Sequence, residues 1–224
     1  MSKLVWDKTG ERFYETGTSH GVLYPQKSDG TYDDGVVWNG LTGVSENPEG
    51  AEANDLYADN IKYASLRSAE TLKFTIEAYT YPEEFAVCDG TVSPVTGVYL
   101  GQQKRTPFGF TYQTLIGNDT ASETDDFKLH IIYNSTASPS EKSYETVNDS
   151  PDAITFSWEC DATPVPVTGY KPCASIVIDS TKCDATKLNA LLDMMYGTAN
   201  TDPTLPTPDQ VIKMITDGTL ETTP

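Results

Sequence analysis

The stretch TLKFTIEAY (71–79) decides the class of fold. On an extended chain Leu72, Phe74, Ile76 and Ala78 fall on one side, and Lys73, Thr75, Glu77 and Tyr79 on the other. Successive side chains of a strand point to opposite faces, so this alternation describes a sheet with one face on a core and one toward water. The period returns in 108–116, where Phe108, Phe110, Tyr112 and Ile116 stand against Thr111, Gln113 and Leu115. It returns in 127–133, with Phe127, Leu129, Ile131 and Tyr133 opposite Lys128, His130 and Ile132. In 153–159 Ile154, Phe156 and Trp158 face in, and Thr155, Ser157 and Glu159 face out. Shorter strands are expected at 20–24, 36–44, 85–88 and 174–179. These elements predict a mainly β fold, an antiparallel β-sandwich or barrel-like core. Leu115 and Ile132 sit on faces that should be polar. Their strands therefore carry a second buried surface, covered by a helix or by a neighbouring subunit.

Two helices complete the expectation. In 184–196, Leu188, Leu191, Leu192 and Met195 form one apolar stripe, and Gly197 is placed to end the helix. In 208–217, Thr207 as N-cap, Pro208 at the first helical position and Gln210 at the third complete a capping box. Val211, Ile212 and Ile215 give that helix a narrow apolar face. The expected organisation is a β domain over 1–197 with its flanking helix at 184–196, then a linker and short C-terminal helix over 198–224. The tail is too small to be an independent domain.

Composition bounds the function. The 224 residues carry 33 Asp and Glu against 15 Lys and Arg, a net charge of −18. No basic cluster exists to displace counterions from a phosphate backbone, which argues against gripping nucleic acid but not against standing beside it. No apolar run is long enough to span a bilayer, so no membrane insertion is expected. The start MSKLVWD turns polar at once and does not read as a secretory signal. Cys88, Cys160, Cys173 and Cys183 are widely spaced, without a CxxC, and read as free structural thiols. His20 and His130 lack a ligand-like spacing to them, so no metal site and no cofactor are expected.

Three patterns resemble catalytic or cation-binding motifs without meeting their requirements. Gly17-Thr18-Ser19-His20-Gly21 matches G-x-S-x-G formally, but that nucleophile elbow needs a strand before the serine and a helix after it. Here Val22, Leu23 and Tyr24 continue as a strand to Pro25, and His20 is expected to point away from Ser19 on an extended chain. Asp29 and Asp33 occupy two positions of a calcium loop, but Asp34 and Gly40 stand where glycine and glutamate are required. Glu83 and Glu84, read as strand neighbours, face opposite ways and cannot act as a carboxylate pair. The expectation is a protein that is not an enzyme.

The segment 28–61 holds eight carboxylates and no Lys or Arg before position 62. Its poorly periodic run over 45–59 reads as a long loop, and such loops in small domains are functional or mobile. Leu56, Tyr57 and Ile61 are apolar bulk in an otherwise wet segment and point to docking on another subunit.

Two blocks carry a resemblance. VWNGLTGVSENPEGAEANDLYADNIKY (37–63) and KLHIIYNSTASPSEKSYETVNDSPDAITFSWE (128–159) resemble the major tail, or tail tube, proteins of long-tailed bacteriophages (siphophages) of Gram-positive hosts. The likeness spans roughly 1–180 with the blocks in the same order. It implies a tail-tube β-sandwich with a flanking α-helix and a long inter-subunit loop. Six copies would form a ring around a channel, and rings would stack helically into a tube that conducts the viral genome. The implied location is the virion tail, assembled in the cytoplasm of a bacterial host. Implied partners are further copies of the chain, a tape-measure protein, a tail terminator and a distal tail or baseplate initiator. Double-stranded DNA would pass through without specific binding. Carried over by position, 45–60 becomes the stacking loop and 134–152 a second one. The candidate interface residues are Glu46, Asn47, Glu49, Leu56, Tyr57, Asp59, Ile61, Ser138, Ser140 and Tyr144, with Leu56 and Tyr57 as anchors. Acids facing the channel are left unassigned. The alternatives are another virion β-protein, such as a tail terminator or decoration protein, or a carbohydrate-binding or adhesin sandwich.

Overall fold

The alternation over 71–79 is realised as a long strand at the centre of one of two stacked layers. In a computed structural model of the chain, residues 4–50, 52–68, 70–120, 125–144, 146 and 152–220 are described. The first strands are β1 (Phe13–Pro25), β2 (Val36–Trp38), β3 (Leu41–Gly50), β4 (Ala53–Ala58), β5 (Ile61–Arg67) and β6 (Glu70–Ala78). A 3₁₀ turn at Glu83–Val87 precedes β7 (Val92–Val95), β8 (Val98–Leu100), β9 (Phe108–Asn118) and β10 (Phe127–Ala137). Then come β11 (Phe156–Ala162), β12 (Ser175–Asp179), α1 (Ala185–Tyr196) and α2 (Pro208–Asp217).

The main sheet runs β2-β1-β9-β10-β11-β6-β3, with β12 also paired to β10. Its pairings are antiparallel. β10 makes the corner: residues 128–132 pair with β12, while 135–137 pair with β11. Between the two registers Asn134 takes a positive φ of 45°, and the pairing with β9 breaks between Ile132 and Ser135. A strand that changes sheets through such a bend divides one hydrogen-bonded path into two packed layers. The first layer is β2-β1-β9-β10-β12, and the second is the end of β10 with β11, β6 and β3. The far ends of the path, β2 and β3, are joined by Asn39 and Gly40 alone. The result is the expected mainly β, antiparallel sandwich. It turns one corner through hydrogen bonds and the other through a two-residue link.

Two cores lie on the two faces of the first layer. Between the layers, Leu23, Phe108, Phe110 and Ile132 meet Leu72, Phe74, Ile76 and Trp158. Trp38 stands at the centre of an aromatic group, with ring centroids 4.5 Å from Phe85 and 5.5 Å from Trp158. Its indole N–H donates to the Thr80 carbonyl at 2.9 Å. On the outer face of the first layer Val22, Tyr24, Leu129, Ile131 and Tyr133 meet Leu188, Leu191, Met195, Val211 and Met214 of the helices. The second buried surface expected from the sequence is thus supplied by helices. Ile132 belongs to the inter-layer core, whereas Leu115 stays 43% exposed. Tyrosines fasten the helical cover: Tyr24 donates to the Met195 carbonyl at 2.6 Å and Tyr133 to the Pro206 carbonyl at 3.1 Å.

Both helices begin where the caps place them. The Asp184 carboxylate accepts from the backbone N–H groups of Thr186 and Lys187, and Thr207 with Gln210 forms the complete capping box. The buried stripe of α2 is Val211 and Met214, with Ile212 exposed, so the sequence reading misplaced one residue of that face. The strand expected at 85–88 is instead the 3₁₀ turn. Phe85 and Cys88 are both fully buried, and a spacing of three residues suits a turn rather than a strand. All four cysteines are free thiols. Burial raises the Cys88 thiol to about 12, so it stays protonated at neutral pH.

Gly109 marks how tightly the linker before α2 sits on β9. A Cβ there would lie 2.2 Å from Leu205 Cδ2 and 3.2 Å from Tyr32 Cε1. Gly109→Ala is expected to lower stability by about 1–3 kcal/mol through overpacking. Gly101→Ala, which meets nothing within 4 Å, is expected to leave it unchanged. Thermal unfolding of the two variants beside the wild type checks the contrast.

Candidate functional site

An exposed apolar surface is built from the segment expected to be a loop. β3 and β6 pair from Leu41↔Ala78 out to Gly50↔Glu70, past Leu72, the last core residue of β6. The ribbon then continues as the β4–β5 hairpin, closed by Asp59 and Asn60 with φ of 50° and 63°. Two successive positive φ values make a type I′ turn, whose twist matches that of the strands it joins. The reading of 45–59 as an irregular loop is therefore corrected: it comprises the end of β3 and a strand of a hairpin. Gly43, Pro48 and Gly50 hide the strand period. Asp59-Asn60, between two strand-forming runs, is the turn signal that marked it.

Register assigns the faces of this arm. The pairs Asn54↔Leu66, Leu56↔Ala64 and Ala58↔Ile61 share one face, which is apolar apart from Asn54. Leu56, Ile61 and Leu66 on it are 42%, 64% and 55% exposed. Asp55↔Ser65 and Tyr57↔Lys62 lie on the other face, where Lys62 Nζ stands 2.8 Å from Asp55 Oδ1. Leu56 and Ile61 thus share a face, whereas Tyr57 lies on the opposite one and Asp59 in the turn.

The other candidate interface residues fall in four places. Glu46 is turned inward: Tyr112 Oη donates to its Oε1 at 2.7 Å, and His130 Nδ1 lies 3.7 Å away. The His130 ring stacks on Tyr112 at 4.4 Å, and its Nε2 lies 3.2 Å from Thr114 Oγ1. This cluster ties the root of the arm to β9 and β10. Asn47 and Glu49 lie on the outer face of the second layer, where Glu49 pairs with Lys73 at 2.9 Å. Ser138 and Ser140 are bound to β11, through Ser138 N–H to the Glu159 carbonyl at 2.7 Å and Glu159 N–H to Ser140 Oγ at 3.0 Å. Tyr144 is exposed, and 145 and 147–151 of the second loop lie outside the described residues.

Among the described residues that outer face has no helical cover, and the paired strand residues on it are polar. Register places Ser45, Asn47 and Glu49 of β3, Lys73, Thr75 and Glu77 of β6, and Ser157, Glu159 and Asp161 of β11 together on it. Four carboxylates against one lysine make it acidic. A shallow depression of about 270 Å³ between β3, β6 and β11 is lined by several of these groups.

A second exposed hairpin, β7–β8, escaped the sequence reading. Val92, Val95, Val98, Tyr99 and Leu100 are exposed on it, and Gly97 at φ 84° lies in its turn. It is rooted where Gln103 N–H donates to the Gly90 carbonyl at 2.9 Å, beside the 3₁₀ turn. Only four and three residues long, with Pro94 inside β7, its strands show too little alternation to be read.

The weighed catalytic residues stay apart, with one correction. Ser19 Oγ lies 3.0 Å from His20 Nδ1, because φ of 53° at His20 turns the ring back toward its neighbour. The chain then runs on in β1 without a helix, and His130 is held by Thr114 and Glu46, so no elbow or triad is assembled. The Asp29 carboxylate accepts from Thr31 N–H and Oγ1 in its own turn. Glu83 and Glu84 open the 3₁₀ turn rather than a strand. Among the described residues no group of three or more His, Cys, Asp or Glu is placed to hold a metal ion, and no helix is long and apolar enough to cross a membrane.

The Glu46 cluster has a pH signature. His130 and the Tyr112 hydroxyl hold the Glu46 carboxyl below its ordinary value of 4.5, against the opposing effect of burial. A depressed carboxylate stabilises the fold above its unfolded pKa and loses that contribution as pH falls through the folded value. Glu46→Gln is therefore expected to flatten the loss of stability below about pH 4.5. Urea unfolding of variant and wild type from pH 7 to pH 3 checks this, and parallel curves would contradict it.

No known family model matches the chain, and no curated protein matches it. Among solved structures it is similar to a chain of the PVC sheath-tube complex, an extracellular contractile injection system, in the extended state. The two are 12% identical, over 78% of this chain and 93% of that one, at a TM-score of 0.32. A likeness that loose decides nothing about fold or function.

Proposed function

We propose that this chain is a structural subunit that assembles with itself into stacked hexameric rings, forming the tail tube through which a viral genome is delivered. The observation that carries the reading is the β4–β5 arm. Two-stranded ribbons are marginally stable in water, and this one holds an apolar face away from both cores. Such a face needs a partner, and a further copy is always at hand in a homopolymer. The resemblance of 37–63 and 128–159 to siphophage major tail proteins supports the same assignment, since the first block contains β4.

The second layer supports a role as channel wall. Its outer face is polar, bare and acidic through Glu49, Glu77, Glu159 and Asp161. Facing a channel, these groups would repel phosphates and let a DNA duplex slide without binding. The mechanism is geometric: a sandwich fixes the arm, the arm docks, and repetition builds the tube. Tape-measure, terminator and initiator proteins would set its length and ends.

Negative-stain electron microscopy of the concentrated protein, alone and with tail initiator, tests the reading. Stacked rings with a central hole are expected, whereas a protein that stays monomeric in both cases would overturn it. Isolated rings that never stack would favour a terminator. Leu56→Ser with Leu66→Ser is expected to keep the fold, read by circular dichroism, and to lower the yield of tubes at least about ten-fold, the scale of losing apolar anchors.

A further inference from the structure

We propose that the receptor for the β4–β5 arm is the β7–β8 hairpin of the next copy. This deepens the tube reading and rests on it. Both ribbons are two-stranded, expose aliphatic side chains and lie outside the two cores. Laying one on the other buries both apolar faces and gives each marginal ribbon a second layer.

Their positions suit a repeating contact. The arm enters β6 at Glu70, and the chain leaves β6 at Ala78 for the 3₁₀ turn and β7–β8. The chain then turns back along the sandwich: Arg105, at the root of β7–β8, bonds the Ala137 carbonyl, and Ala137 pairs with Cys160 and through it with Phe74, so this hairpin leaves the sandwich at a different place from the arm. Arm on arm would be a two-fold contact that stops at a dimer. Arm on the β7–β8 hairpin is heterologous, leaves a free arm and a free hairpin at the two ends, and propagates.

Charge selects the same pairing. Residues 41–70 hold six acids and two bases, a net 2 − 6 = −4. Residues 90–118 form the longest run without Asp or Glu and contain Lys104 and Arg105, a net +2 in a chain of −18. On the arm, Glu49 and Asp55 are paired internally with Lys73 and Lys62. Glu52, Asp59 and Glu70 form no ion pair with a described residue. At the receptor, Arg105 is spent on the carbonyls of Ala137 and Asp89, at 3.2 and 3.1 Å. Lys104 is exposed at the hairpin's root without such a partner. The structure therefore sets unpaired acids on the arm against an unpaired lysine beside the second hairpin.

The test is charge reversal with rescue, read by the protein concentration at which wild-type and variant chains assemble in the presence of initiator. Lys104→Glu is expected to raise that concentration about ten-fold. Adding Glu52→Lys and Asp59→Lys to the same chain should bring it back toward the wild-type value. In a separate mixture of Leu56→Cys and Val98→Cys chains, mild oxidation should yield an inter-chain disulfide joining positions 56 and 98. If the wild type forms tubes while Lys104→Glu assembles equally well and no such disulfide forms, the pairing is wrong and the tube reading stands. If the wild type forms no assembly at all, both fall.

Discussion

A two-stranded ribbon with one apolar face cannot settle by itself in water, and the rest of this structure is arranged around one. Two cores, on either side of the first layer, hold the buried apolar residues of the sandwich and its helices. The arm is excluded from both, because β3 and β6 run on past Leu72 after the sandwich has ended. Its root is nonetheless held firmly. The Glu46–Tyr112–His130 cluster and the Glu49–Lys73 pair fix the strands from which it grows. Rigid roots matter because an arm that is already oriented loses less entropy on docking.

Cover is distributed unequally between the layers. The first has its outer face under α1 and α2, sealed by tyrosine hydroxyls on main-chain carbonyls. Among the described residues the second has no such cover, and its outer face is built of Ser, Asn, Thr, Lys and carboxylates. In the tube we propose, that asymmetry sets the orientation: helices outward, the bare acidic sheet toward the channel. The whole-chain charge of −18 then has a local meaning, since part of it is gathered where DNA would pass.

Legibility in the sequence followed the presence of a core. β6, β9, β10 and β11 each pack at least one face on buried residues, so their side chains alternate and were readable. Both helices announced themselves through an apolar stripe, the first also through Gly197 at its end and the second through the capping box at Thr207, whereas the cap at Asp184 was not read. The arm was read as a loop because it belongs to neither core among the described residues, so burial imposed no period. Gly43 and Pro48 further broke the pattern, and the expectation that Leu56, Tyr57 and Ile61 dock on another subunit rested on their apolar bulk alone. That Tyr57 lies on the opposite face from them needed the register. The 3₁₀ turn was mistaken for a strand because Phe85 and Cys88 are buried without alternating. The β7–β8 hairpin was invisible because strands of three or four residues contain too few positions to show any period.

The central claim is that the arm gains its stability from another copy. Amide hydrogen exchange over 53–67, measured in dilute monomer and in concentrated, assembled protein, tests this most directly. The account predicts rapid exchange of these amides in the monomer and strong protection in the assembly, while β6, β9 and β10 stay protected in both. Equal protection of the arm in the monomer, or an arm that stays unprotected once rings have stacked, would contradict it.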